Sequence, residues 1–226
     1  IGSACGGYVL SGIAEGNRVT ISGGTIGMKD GYLYGGYVSG GTASGNTVTI
    51  SGGMIGTTGY AYLYGGYAAA SGTVDNNTVI VCGGTFTNNG AGEAYGGWAK
   101  GGTASGNAVS ICGGTLGRGE GNICGGYVDS STQASVGKAA DNQVVIDHIA
   151  AGGTTVIGDD IVGGCVSGSA AIVSGNCVTI RQTSGITSVA ASAVCGGGAE
   201  SGTVSSNTVT ISGGTIDGTV YCGTAK

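Results

Sequence analysis

The chain has 226 residues, of which 54 are glycine and none proline; 40% are hydrophobic, 8% charged and 6% aromatic, and the net charge is −5. This composition excludes a disordered tail, which combines low hydrophobicity with high charge, and collagen, which needs abundant proline and glycine at every third position. Seven Lys and Arg are too few for the basic stripe of a nucleic-acid binder, and no run reaches the ~18 apolar residues of a membrane helix.

The chain opens at Ile1 with neither an initiator Met nor a signal-peptide pattern, so a processed product or an excised piece is expected. The first block of the chain, Ala4-Cys5-Gly6-Gly7-Tyr8-Val9, returns as Leu33 to Val38, Leu63 to Ala68, Ala94 to Ala99 and Ile123 to Val128. Degraded copies follow at Ile161 to Val166 and Val194 to Ala199, with a truncated one from Val220. The aliphatic ends of each block lie five apart, an odd step that a straight strand would send to opposite faces. A Gly-Gly bend, through positive φ or a bulge, is expected to turn both inward.

A second block contains Asn, then Val two residues on, then Ile or Val two further. The Asn recurs at Asn17, Asn46, Asn77, Asn107, Asn142, Asn176 and Asn207. Period 2 places Asn, Val and Ile on one side of a strand. The segment after it, Ile21-Ser22-Gly23-Gly24-Thr25-Ile26 and its copies from Ile50, Val81, Ile111 and Ile211, repeats the pattern of two inside residues separated by Gly-Gly. Polar runs such as 39–45 separate the two devices.

Three short strands per ~30 residues predict an all-β fold, a right-handed parallel β-helix of about seven coils with Gly-Gly corners. It is expected to be a single domain over 1–226. Its repeats begin near 4, 33, 63, 94, 123, 161 and 194, with a partial one at 220 and an irregular longer one over 123–160. The inward Asn are expected to form a hydrogen-bonded ladder that satisfies backbone groups in the turns. Tyr8, Tyr37, Tyr67, Trp98 and Tyr127 share one outward station and predict an aromatic column. Tyr34, Tyr64 and Tyr95 predict a second, with Tyr32 and Tyr62 nearby.

Eight cysteines without a C-x-x-C pair fit an oxidising, extracellular setting better than zinc or thioredoxin chemistry. Cys82 and Cys112 occupy one station in consecutive coils, within disulfide reach, and are the first pair expected to bridge. Cys195 with Cys222 and Cys124 with Cys165 are the other candidates. Cys5 is placed to bridge to a neighbouring subunit.

The run 35–56, GGYVSGGTASGNTVTISGGMIG, and its cousins along nearly the whole chain resemble the Gly-rich passenger repeats of bacterial surface adhesins and autotransporter-like proteins. The resemblance implies a secreted, cell-surface, adhesive or filament-forming role and supplies no catalytic residues. The expected function is a non-enzymatic extracellular structural or adhesive protein that stacks on itself head to tail or on neighbouring segments of a longer solenoid, with host or matrix glycan as a further partner. No nucleic-acid partner, membrane span or cofactor is expected. The alternative is a glycan-binding or glycan-cleaving β-helix using the aromatic strip or the acids of the fifth repeat, Asp141, Asp147, Asp159 and Asp160, with His148. Asp159 and Asp160 offer a calcium site as the alternative to a solvated turn. Thr-x-Thr at Thr47 and Thr49, and at Thr208 and Thr210, resembles ice-binding arrays. The same stations elsewhere hold Arg18, Ile80, Ala108, Gln143 and Val145, and a broken array is a poor lattice match.

Overall fold

The computed structural model describes residues 2–27, 29–86, 92–116, 121–132, 136–148, 160–168, 170–182, 192–213, 216 and 218–225. These residues form parallel strands stacked as a β-solenoid of about six turns, one fewer than the repeat count predicts. The strands of the Gly-Gly-Tyr block, beginning with Ser3–Glu15, Gly31–Ser44 and Ala61–Ala68, stack through Thr219–Tyr221. The Asn-block strands stack in the same sense from Arg18–Ile21 to Thr208–Ile211.

Register is set by like pairing with like. Leu33 lies beside Leu63, then come Ala94, Ile123, Ile161, Val194 and Val220. Val19, Val48, Val79, Val109, Val144, Val178 and Val209 form a second continuous column. A slip of one residue would turn each of these side chains outward, so the hydrophobic pattern fixes the stacking.

The run between the two blocks, which reads as a polar spacer, forms a third row of strands that includes Gly72–Asp75, Gly102–Ser105 and Ala171–Ser174. These strands send small side chains inward: Ala14, Ala43, Val74, Ala104, Ala139, Val173 and Val204 stand in register. The solenoid consequently has two cores. The larger holds the Leu, Ile, Val and Phe86 side chains between the Gly-Gly-Tyr and Asn rows. The smaller, made of Ala and Val, packs between the Gly-Gly-Tyr strands and the third row.

The Gly-Gly corners work differently from expectation. In the Tyr block neither glycine has positive φ. The first is needed because a Cβ there would meet main chain on two sides: at Gly65 it would lie 2.8 Å from Thr78 N across its own coil and within reach of Gly96 O in the next. The second packs face to face on the ladder Asn of its own coil, as Gly36 does on Asn46 and Gly97 on Asn107. Close approach, not backbone freedom, selects these glycines. Positive φ falls in the other Gly-Gly pair, at Gly24, Gly53, Gly84 and Gly114.

Candidate functional site: the asparagine ladder, the tyrosine face and its groove

The ladder Asn sit between the two cores, and Asn46, Asn77, Asn107, Asn142 and Asn176 are fully buried. Each turn into the Asn strand places the preceding residue in the left-handed region: Gly16, Gly45, Asn76, Gly106, Asp141, Gly175 and Ser206 all have φ of 53 to 69°. Gly, Asn and Asp are the residues that tolerate it best. This station escapes a reading that tracks only the repeated Asn, although four Gly at that position signal it. It also accounts for Asp141, one of the fifth-repeat acids, as a turn residue.

From this turn the Asn main-chain N–H and Nδ2 both donate to Oδ1 of the Asn one coil further on. For Asn46 onto Asn77 the two distances are 3.0 and 2.9 Å. Nδ2 donates a second bond back to a third-row carbonyl, Ala14 O for Asn46 and Val74 O for Asn107, both at 2.8 Å. The same arrangement runs from Asn17 to Asn207 and always points the same way. It satisfies turn N–H groups and third-row carbonyls that the strand ladders leave over.

On the outside, Tyr8, Tyr37, Tyr67, Trp98 and Tyr127 stack with successive ring centroids 4.9, 5.3, 4.7 and 6.1 Å apart. Tyr34, Tyr64 and Tyr95 form the second column at 5.2 and 5.4 Å, and Tyr32 stacks on Tyr62 at 4.9 Å. The columns interlock edge to face, for instance Tyr64 against Tyr67 at 4.9 Å. Although they point away from the solenoid axis, Tyr64 and Tyr95 are buried by their neighbours. The face is thus an external apolar layer with its own interior, held by ring stacking and burial.

Burial raises the phenols of this layer. Tyr62 is pushed up to about 12, first by burial and then by the Glu93 carboxylate. Tyr34, Tyr64, Tyr67, Tyr95 and Tyr127 are raised too, each mainly by burial. Tyr95 Oη donates to Glu93 Oε2 at 2.8 Å. Because the folded face holds these protons more tightly than the unfolded chain, stability is complete below pH 10 and falls as pH rises through 10 towards 12 and above. In an ultraviolet titration most of the tyrosinate signal is expected to rise together with loss of the β circular-dichroism band. Full ionisation near pH 10 with the fold intact would contradict this.

Beyond Tyr127 the rings stop. The column station passes to Cys165 and then Gly198, and its neighbour passes from Cys124 to Val162 and Cys195 before Tyr221. The missing bulk leaves a groove of about 370 Å³ lined by Tyr127, Val162, Cys165, Cys195, Gly198 and Tyr221, with Asp160 and Glu200 also on its walls. An adjoining hollow of about 210 Å³ reaches Tyr95 and Cys124. The Tyr127 hydroxyl donates to Ser167 Oγ at 3.1 Å, and Ser167 Oγ donates to Asp129 Oδ1 at 3.3 Å, which fixes the last ring.

Among the cysteines, Cys82 and Cys112 form a disulfide with Cα atoms 4.5 Å apart. It closes a 30-residue separation, so Cys82→Ser is expected to lower the unfolding free energy by about 3–4 kcal/mol in the chain-entropy picture, measured by urea denaturation. The other two predicted pairs do not form: Cys124, Cys165, Cys195 and Cys222 are free. The register explains it. Cys124 stands beside Val162 while Cys165 stands beside Tyr127, and Cys195 stands beside Tyr221 rather than Cys222. These stations point outward, yet Cys124 and Cys195 are buried under the aromatic layer and its groove. Burial raises both thiols, and Cys165 to about 12, which keeps them protonated at neutral pH. Cys5 is free and exposed, its thiol donating to Gly7 O at 3.1 Å.

The fifth-repeat acids are dispersed. Asp147, on the Asn-row strand Gln143–His148, pairs with Arg181 at 3.6 Å, whereas Asp160 stands on the tyrosine face. Asp159 lies outside the described residues, and so does the side-chain environment of His148. Among the described residues no three His, Cys, Asp or Glu side chains converge as a metal site. No protein-family model, curated protein or solved structure matches the chain.

Proposed function

We propose that the chain is a non-enzymatic extracellular solenoid with a structural and adhesive role, of the kind its resemblance to bacterial surface adhesins implies. It would work as a subunit stacked head to tail on copies of itself or as a segment of a longer solenoid. The observation that supports this best is the one-way ladder from Asn17 to Asn207, whose bonding is the same in every coil. Any further coil, from the same chain or from a second copy, adds in the same orientation by donating to, or accepting from, the same amide. The tyrosine face supports the adhesive part of the reading, since a large apolar surface layer is a common mark of an interaction site. Cys5, exposed in the first coil, is the candidate for a covalent joint between copies.

Negative-stain electron microscopy tests this directly. Stacked subunits would appear as rods with a repeat on the order of 35 Å, the height of the seven stacked strands of the Asn row at the ~4.8 Å strand spacing. Shortening under reductant would assign the joints to cysteine, and Cys5 found reduced in the rods would remove it from them. Isolated particles at every concentration would overturn the filament reading.

A further inference from the structure

The aromatic column ends against a groove that has the register of the column and none of its rings. Four ring-to-ring steps of about 5 Å bring the stack to Tyr127. In the next two coils the same station holds a thiol and a glycine and then passes to Thr224, while Tyr221 stands at the neighbouring station of that last coil and lines the far end of the groove. It therefore covers two coils from which the column's rings are missing, with Tyr127 at one end, Thr224 and the offset Tyr221 at the other, and a floor of Val162, Cys165, Cys195 and Gly198. Asp160 stands on one side of the floor and Glu200 on the other.

We propose that this groove binds a pyranose ring of a neutral oligosaccharide, which takes the place of the rings missing from the column beyond Tyr127. The proposal rests on the adhesive half of the reading above and adds the class of ligand. A sugar ring has the required composition: apolar C–H faces to lie on Tyr127, and hydroxyls around its edge. Hydroxyls directed sideways meet the two carboxylates, and hydrogen bonds to charged acceptors are the stronger kind. Small-molecule sites commonly combine apolar lining with a few such polar groups, in volumes of about 300–1,000 Å³. Two flanking acids in a chain of net charge −5 disfavour uronic acids and other anionic sugars. The Tyr127–Ser167–Asp129 hydrogen bonds hold the platform ring in place before the ligand arrives, which reduces the ordering that binding requires. The thiols of the floor, kept protonated by burial, act as apolar surface.

Calorimetric titration of the full chain with cellotriose is expected to show saturable binding with a dissociation constant on the order of 1 mM or tighter. Gly198→Tyr is the decisive variant, because it restores a ring to the empty station. The atoms nearest to a Cβ there are Cys165 Sγ, Thr224 Cγ2 and Cys195 Sγ, at an ordinary contact distance of 3.8 to 4.0 Å, and the φ is not positive. The variant should retain the wild-type circular dichroism and lose at least tenfold in affinity. Tyr127→Leu, which keeps an apolar side chain and removes the flat face, should lose as much, and Glu200→Gln a smaller factor. The proposal is overturned by absence of saturable cellotriose binding, by unchanged affinity in a folded Gly198→Tyr protein, by equal affinity for trigalacturonate, or by binding of N-acetyl-tyrosinamide in place of the sugar. Rods in the microscope without sugar binding sink the groove proposal alone. Sugar binding abolished by Gly198→Tyr without rods supports the groove and sinks the filament alone.

Discussion

Asn107→Ala is expected to lower the unfolding free energy by about 3–6 kcal/mol, a large part of what holds a typical domain together. Asn107 is fully buried, and its Oδ1 accepts from both Asn77 N–H and Asn77 Nδ2 at 3.0 Å. Its own Nδ2 donates to Val74 O at 2.8 Å and to Asn142 Oδ1 at 3.0 Å. Alanine leaves the two Asn77 donors and the Val74 carbonyl without those partners, and each orphaned buried group costs about 1–3 kcal/mol. Asn142 Oδ1 keeps the Asn107 main-chain donor and adds little to the loss. Asn107→Asp restores the acceptor but turns an oxygen towards Val74 O and Asn142 Oδ1, so it should be no better than alanine at neutral pH. Asn17→Ala, at a half-buried rung, should be milder. Urea denaturation of the three variants checks the order; a loss below about 1 kcal/mol for Asn107→Ala would show that the ladder contributes little net stability.

The second large effect is expected at the Gly-Gly corner. A Cβ on Gly96 would lie 2.5 Å from Gly125 O, 2.6 Å from Ala108 N and 2.8 Å from Ala108 O, all main-chain atoms of packed strands. No side-chain rotation relieves such contacts, and the coils must separate. Gly96→Ala should therefore cost more than the ~1–3 kcal/mol of ordinary overpacking and leave little folded protein at ambient temperature. At Gly97 the obstructing atoms are Asn107 Cγ, Nδ2 and Oδ1 at 2.6 to 2.7 Å, so alanine there displaces a rung and should resemble Asn107→Ala. Gly40→Ala is the control. Nothing lies within 4 Å of its Cβ position and its φ is not positive, so the change should be neutral or stabilise by ~0.4–1 kcal/mol. Thermal melts of the three proteins would test a graded response that glycine content alone does not predict.

These two devices show what a linear reading can and cannot extract. The solenoid was legible because Val19, Val48, Val79 and their successors recur at one station, and identical neighbours are the direct expression of in-register stacking. The Cys82–Cys112 bridge was legible for the same reason. The purpose of the Tyr-block glycines was not, because two glycines look alike whether they supply a left-handed turn or admit a neighbouring chain. Only the distances from Gly65 or Gly97 to the next coil and to the ladder separate those cases. The inward Ala of the third strand row hid inside a run of Ser, Gly and Thr that reads as a loop. The groove was hidden more deeply, since it arises from what Cys165 and Gly198 lack rather than from a motif they share. The failed pairing of Cys124 with Cys165 has a related origin: cysteines in adjacent coils are neighbours only when they hold the same station, and these two flank the Gly-Gly corner on opposite sides.

The ladder also bears on how such a protein can change in length. Each rung bonds only to groups of the coils on either side, and each hydrophobic column continues by adding one residue per coil. Removing a whole coil, for example residues 77–106, would join two surfaces that already match, amide to amide and Val to Val. Removing a single residue from Val109 or its strand would misplace every side chain that follows it before the next corner. The natural quantum of variation is therefore about thirty residues rather than one, and related molecules of quite different reach can be generated by recombination between repeats without redesigning any contact.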